Sequence, residues 1–74
     1  MGGQKYLDLG RKALENEKYE LAIRFFNTAY AKTIGHKKRD RIGSLIEQAE
    51  AKAGTSAFQG YCTPSDEAFI RKMI

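Results

Sequence analysis

The chain has 74 residues and a mass of 8.3 kDa, is 42% hydrophobic, and carries 13 Lys and Arg against 9 Asp and Glu, for a net charge of +4. That length holds one small domain and excludes a multidomain enzyme. One proline, one cysteine, four Phe and four Tyr exclude both a disordered linker and a disulfide-stapled secreted scaffold.

From Gln4 to Asn16 the apolar residues Tyr6, Leu9, Ala13 and Leu14 fall on one stripe, with Lys5, Asp8, Arg11, Lys12 and Glu15 on the other faces, and predict a first amphipathic helix. Glu15-Asn16-Glu17-Lys18 interrupts the stripe. A second helix opens with Tyr19 and Ala22 and runs through Ile23, Phe26, Ala29 and Tyr30, while Leu21 and Phe25 widen its apolar face enough to need covering from two directions. Gly35, after Ile34, is placed as its left-handed stop. A third helix over 36–53 begins in the run Lys37-Lys38-Arg39-Asp40-Arg41, shows Ile42, Leu45, Ile46, Ala49 and Ala53 at helical spacing, and ends at Gly54. A loop then holds Phe58 and Tyr61. Thr63-Pro64-Ser65-Asp66 reads as an N-cap, a first-turn proline and an acid at the third position of a short fourth helix carrying Ala68, Phe69, Ile70, Met73 and Ile74. That helix is expected to fold back on the domain or dock on another chain. Nothing reads as a strand, so the fold class is all-α: an antiparallel helical hairpin, a third capping helix and a short C-terminal helix. The boundaries expected are a three-helix domain over 1–54 and a tail over 55–74.

Small residues at Gly10, Ala13, Ala22 and Ala29 mark where the first two helix axes come close, with Tyr6, Leu9, Tyr19 and Phe26 beside them. A glycine in mid-helix costs about 1 kcal/mol relative to alanine, which a generic hairpin has no reason to accept. This order resembles one tetratricopeptide repeat, a 34-residue helix-turn-helix unit. Tyr6 stands for its usual Trp, Leu9-Gly10 for its Leu-Gly pair, and Tyr19, Ala22, Phe26 and Ala29 follow at the expected spacing. Two departures are Ala13 in place of an aromatic and the absence of the closing proline. The resemblance covers about residues 4–53, one repeat plus a capping helix. The end of a longer array, a minimal three-helix variant and a self-associating unit all remain open. A second resemblance is to the microtubule-interacting and trafficking domain, a three-helix bundle. It rests on residues 42–52 for that domain's third helix and on Tyr19 to Ile23 for its second.

The first resemblance implies a protein-interaction module that takes a peptide or helix of a partner protein in a helical groove, with self-association into a homodimer open. The outward positions of the first helix expected to line the groove are Leu7, Arg11, Leu14 and Glu15, Arg11 being suited to clamp a carboxylate. The second resemblance implies binding of amphipathic tails of membrane-remodelling proteins beside the third helix. The run Lys37, Lys38, Arg39 and Arg41 is the strongest electrostatic feature and a candidate for an anionic partner. Nucleic acid is not the partner expected, because the aromatics that stack bases sit on the apolar faces of the first two helices. The groups around Phe58, Tyr61, Phe69 and Ile70 are expected to form the core of a C-terminal lid or a strap over a groove.

No catalytic, metal or cofactor site is expected. Cys62 has no second cysteine, and His36 lies 26 positions upstream of it with no third group identifiable to orient a Cys/His pair. No run approaches the roughly 18 apolar residues of a membrane span. Met1-Gly2-Gly3-Gln4-Lys5 lacks the apolar core of a signal peptide and reads as a frayed end, so a cytoplasmic location is expected.

Overall fold

The computed structural model describes residues 2–54 and 60–73, which form four helices: α1 (Gly2–Glu15), α2 (Tyr19–Lys32), α3 (His36–Ala53) and α4 (Pro64–Met73). No strand occurs among the described residues, and none of these helices is long and apolar enough to cross a membrane. Phe58 lies outside the described residues. α1 starts at Gly2, two residues before the first-helix start expected at Gln4, so the described part of the expected frayed end is helical.

α2 is the central element, with α1 and α3 packed on it, while α4 lies on α1. Its width accounts for that position: Ala22, Ile23, Phe25, Phe26 and Ala29 are all buried, joined by Leu9, Ala13, Ile42, Ala49 and Ile70 from the other three helices. Gly10 is a point of close approach between α1 and α2. A Cβ built there would lie 2.6 Å from Cε1 of Phe26, so the glycine is what lets that ring lie across α1.

The antiparallel turn between α1 and α2 is closed without glycine. The N–H of Glu17 donates to the Leu14 carbonyl (3.1 Å) and that of Lys18 to the Ala13 carbonyl (2.9 Å), the two-bond pattern that ends a helix on a left-handed residue. That residue is Glu17, at φ 62°, a conformation that costs a side-chain-bearing residue about 1–2 kcal/mol. Asn16 Nδ2 adds a bond to the Lys12 carbonyl at 2.8 Å.

Gly35 has a different place from the one expected. α2 ends at Lys32 with Thr33 extended (φ −92°, ψ 136°), and Gly35 precedes α3 as its N-cap at φ 113°. The β-branched Thr33 ends α2 early: its N–H donates to the Tyr30 carbonyl (3.3 Å) and its Oγ1 to the Ala29 carbonyl (2.6 Å). Gly35 then supplies the positive φ that reverses the chain into α3. Gly54 does end α3 as a left-handed cap, its N–H donating to the Glu50 carbonyl.

The start of α4 is a reciprocal box. The Thr63 N–H donates to Asp66 Oδ2 (2.9 Å) and the Asp66 N–H to Thr63 Oγ1 (3.3 Å), with Pro64 at the first helical position, where its missing N–H costs nothing. The segment leading into it is bound to α2 by two polar side chains buried in an otherwise apolar stretch. Asn27 Nδ2 donates to the Gly60 carbonyl (3.1 Å), and the Cys62 N–H donates to Thr28 Oγ1 (2.9 Å). Buried polar groups need partners, and the backbone before α4 supplies them.

Candidate binding site

α4 lies back on the hairpin with Ile70 in the core and both of its acids paired across to it. Glu67 pairs with Lys5 Nζ at 2.8 Å and accepts a long hydrogen bond from the Tyr6 hydroxyl at 3.4 Å, while Asp66 lies 3.5 Å from Arg24. Of the described residues expected in the lid, Ile70 is fully buried. Tyr61 and Phe69 are largely exposed, Phe69 at 49%.

The polar latch leaves its mark on the ionisable groups. The hydrogen bond from Lys5 holds the Glu67 carboxyl below its ordinary value, with partial burial opposing it. Loss of hydration, then the neighbouring Glu67 charge, pushes the Tyr6 hydroxyl up. Because Glu67 is more acidic in the folded chain, its ionised form favours the fold. Its contribution is complete above the ordinary carboxylate value of 4.5 and is lost as pH falls through the lower folded value. With Lys5 half-exposed, that contribution is at most about 1 kcal/mol. Urea midpoints measured from about pH 6 down to about pH 2 are expected to fall less steeply for Glu67→Gln than for the parent. Parallel acid limbs would show that the latch does not hold in solution.

The residues expected to face outward on α1 divide into two kinds. Arg11 and Glu15 are exposed, whereas Leu7 and Leu14 are half-buried and packed against the core. Leu14 packs as part of the stripe with Tyr6, Leu9 and Ala13, and the apolar face of α1 is wide enough to take in Leu7 as well. The basic run divides too. Lys37, Lys38 and Arg41 are exposed, whereas Arg39 is half-buried, donates from Nε to the Thr33 carbonyl at 3.0 Å and stands 5.1 Å from the Tyr30 ring. Arg39 therefore serves the C-terminal end of α2, where a cation is favourable, instead of opposing the dipole of α3.

Cys62 is half-buried, and burial pushes its thiol up, with Glu67 and Asp66 adding to the shift against a hydrogen bond with Thr28. Nucleophilic cysteines need the reverse environment, one that favours thiolate. His36 stands exposed at the start of α3.

A feature not anticipated from the sequence is an open cleft of about 470 Å³ where α2 begins, α3 ends and α4 crosses. Tyr19 and Leu21 of α2, Ala53 of α3 and Phe69 of α4 give it apolar surface, and Lys18 and Arg24 face Glu17, Glu20 and Asp66 around it. One wall is the run from Glu17 to Leu21 with Arg24, and the cleft forms only where α3 and α4 bring Ala53, Asp66 and Phe69 against it. The one signal in the sequence is Phe69 beside Ile70: two adjacent large apolar residues on a ten-residue helix cannot both face one core. No protein-family model, no curated relative and no solved structure matches the chain.

Proposed function

We propose that the chain is a non-catalytic protein-interaction module that seats an apolar side chain of a partner peptide or helix in the cleft between α2, α3 and α4. The observation that carries this reading is Phe69, a ring held half out of the core at the mouth of a cleft whose other apolar walls are Leu21, Tyr19 and Ala53. Charged residues of both signs ring the apolar surface, the arrangement of a small recognition site with an apolar centre and a polar rim. The tetratricopeptide-like reading of the hairpin has the support of the Gly10–Phe26 approach, which gives a mid-helix glycine a packing reason. The trafficking-domain reading has the support of the cleft's position beside α3. Arg11 and Glu15 remain the exposed α1 positions for a second contact.

The test is selection of binding peptides from a displayed library on the full chain, followed by amide chemical-shift mapping. Shifts centred on Leu21, Ala53 and Phe69 are expected. Phe69→Ala is expected to weaken the selected peptide by about tenfold or more while leaving the urea midpoint almost unchanged, since half of the ring is already in water. Shifts confined to Arg11 and Glu15 would move the site to α1 and overturn the cleft.

A further inference from the structure

The corner between α2 and α3 holds the most exposed large apolar side chain of the described residues, Ile34, at 93%. It stands in the middle of the three-residue link from α2 to α3, between the extended Thr33 and the positive-φ Gly35, so the backbone projects it away from both helices. On the α3 side it is followed by Lys37, Lys38 and Arg41, all exposed and none with a carboxylate in salt-bridge range among the described residues. Between Lys32 and Arg41 there are five cations and one acid, a net +4 that equals the charge of the whole chain. The eight cations and eight acids elsewhere cancel. α3 also begins without any side-chain cap, so its first N–H groups, at the positive end of its dipole, face the same corner.

Arg39 and Lys32 serve the end of α2, but neither Ile34 nor the exposed Lys37, Lys38 and Arg41 serves the fold. Cations in the first turn of a helix oppose its dipole, and an isoleucine in water forfeits the stabilisation it would gain in a core. Both halves suit one kind of surface. A bilayer of anionic lipids presents a layer of phosphates and carboxylates above an apolar interior, so cations meet the headgroups while a projecting apolar side chain enters the acyl boundary. Nucleic acid would use the charges and leave Ile34 in water. An acidic peptide would need a groove to hold it, which a projecting turn does not offer. We infer that the α2–α3 corner docks the protein reversibly on anionic membrane surfaces, with Ile34 inserted and Lys37, Lys38 and Arg41 on the headgroups.

The chain contains no tryptophan, so Ile34→Trp places a single reporter at the tip. The full chain is mixed at about 0.1 M salt with vesicles of phosphatidylcholine holding about 30% phosphatidylserine, and with vesicles of phosphatidylcholine alone. Sedimentation with the anionic vesicles only, reversal at about 0.5 M salt, and a blue shift of the Trp emission on binding are the results expected. Ile34→Ser is expected to weaken vesicle binding by about tenfold or more, and it changes no core contact, which far-UV circular dichroism checks. Absence of binding to the anionic vesicles overturns the proposal. So does Ile34→Ser binding as tightly as the parent, or tighter binding of the parent to duplex DNA or polyglutamate than to the vesicles, since either would make the corner a site for polyanions in general.

Discussion

Replacing Phe26 by alanine is expected to remove about 3–5 kcal/mol, the cost of deleting a buried aromatic ring that its surroundings cannot close over. Phe26 is fully buried, and the residue facing it across the helix interface is Gly10, which has no side chain to move into the void. A domain of this size has about 3–5 kcal/mol in total, so Phe26→Ala should be largely unfolded at room temperature. Far-UV circular dichroism and a urea titration read this directly. A cooperative transition within about 1 kcal/mol of the parent would show that α1 and α2 do not meet on this ring.

Gly10 is expected to respond in the opposite sense to helix propensity. On an exposed helix, Gly→Ala gains about 1 kcal/mol. Here the new Cβ would lie 2.6 Å from one ring carbon of Phe26 and 2.7 Å from the next, and a fully buried ring has no free space to give. The overpacking cost of about 1–3 kcal/mol outweighs the gain, and Gly10→Val should cost about 3 kcal/mol or more. The signature is a change of sign. In a Phe26→Leu background the obstruction is smaller, so Gly10→Ala should become neutral or stabilising, with a coupling of about 1–2 kcal/mol between the two sites. A stabilising Gly10→Ala in the parent background would remove the close approach of the two helices.

Much of the fold is legible in the chain because it is written in local chemistry. The N-cap threonine and first-turn proline before α4, the left-handed Gly54 after α3 and the polar break before Tyr19 each act within a few residues of themselves, and each boundary falls where that chemistry puts it. The extra width of α2 is likewise readable, since Leu21 and Phe25 add a second apolar face, and the helix does take neighbours on more than one side. Gly35 misleads because two residues compete to end α2. Thr33 does so first through its own side chain, which leaves the glycine to start α3.

The arrangement of the tail is illegible for another reason. Asp66 and Glu67 read as acids that favour a helix start, and nothing local tells that they also reach Arg24, Lys5 and Tyr6 across the fold. Asn27 and Thr28 are the overlooked signal. Thr28 can satisfy its hydroxyl on the Arg24 carbonyl within α2, but the buried Asn27 amide needs a partner from outside it, and the segment before α4 meets Asn27 and adds a bond to Thr28. The cleft, assembled from three helices, has no signature in any one of them, and Leu7 is half-buried because its neighbours cover a wider face of α1 than the helix alone reveals.

The placement of charge along α2 has one more result. The cleft lies at the N-terminal end of that helix and the cationic corner at its C-terminal end, 14 residues or about 21 Å away. With the remainder of the chain electrically balanced, the net charge of the molecule, a body of 32 × 28 × 18 Å, is carried at one corner. In the potential of any negatively charged body it rotates before it touches, and arrives corner first. The end that carries Phe69 is then turned outward, into the solution from which a second macromolecule would come.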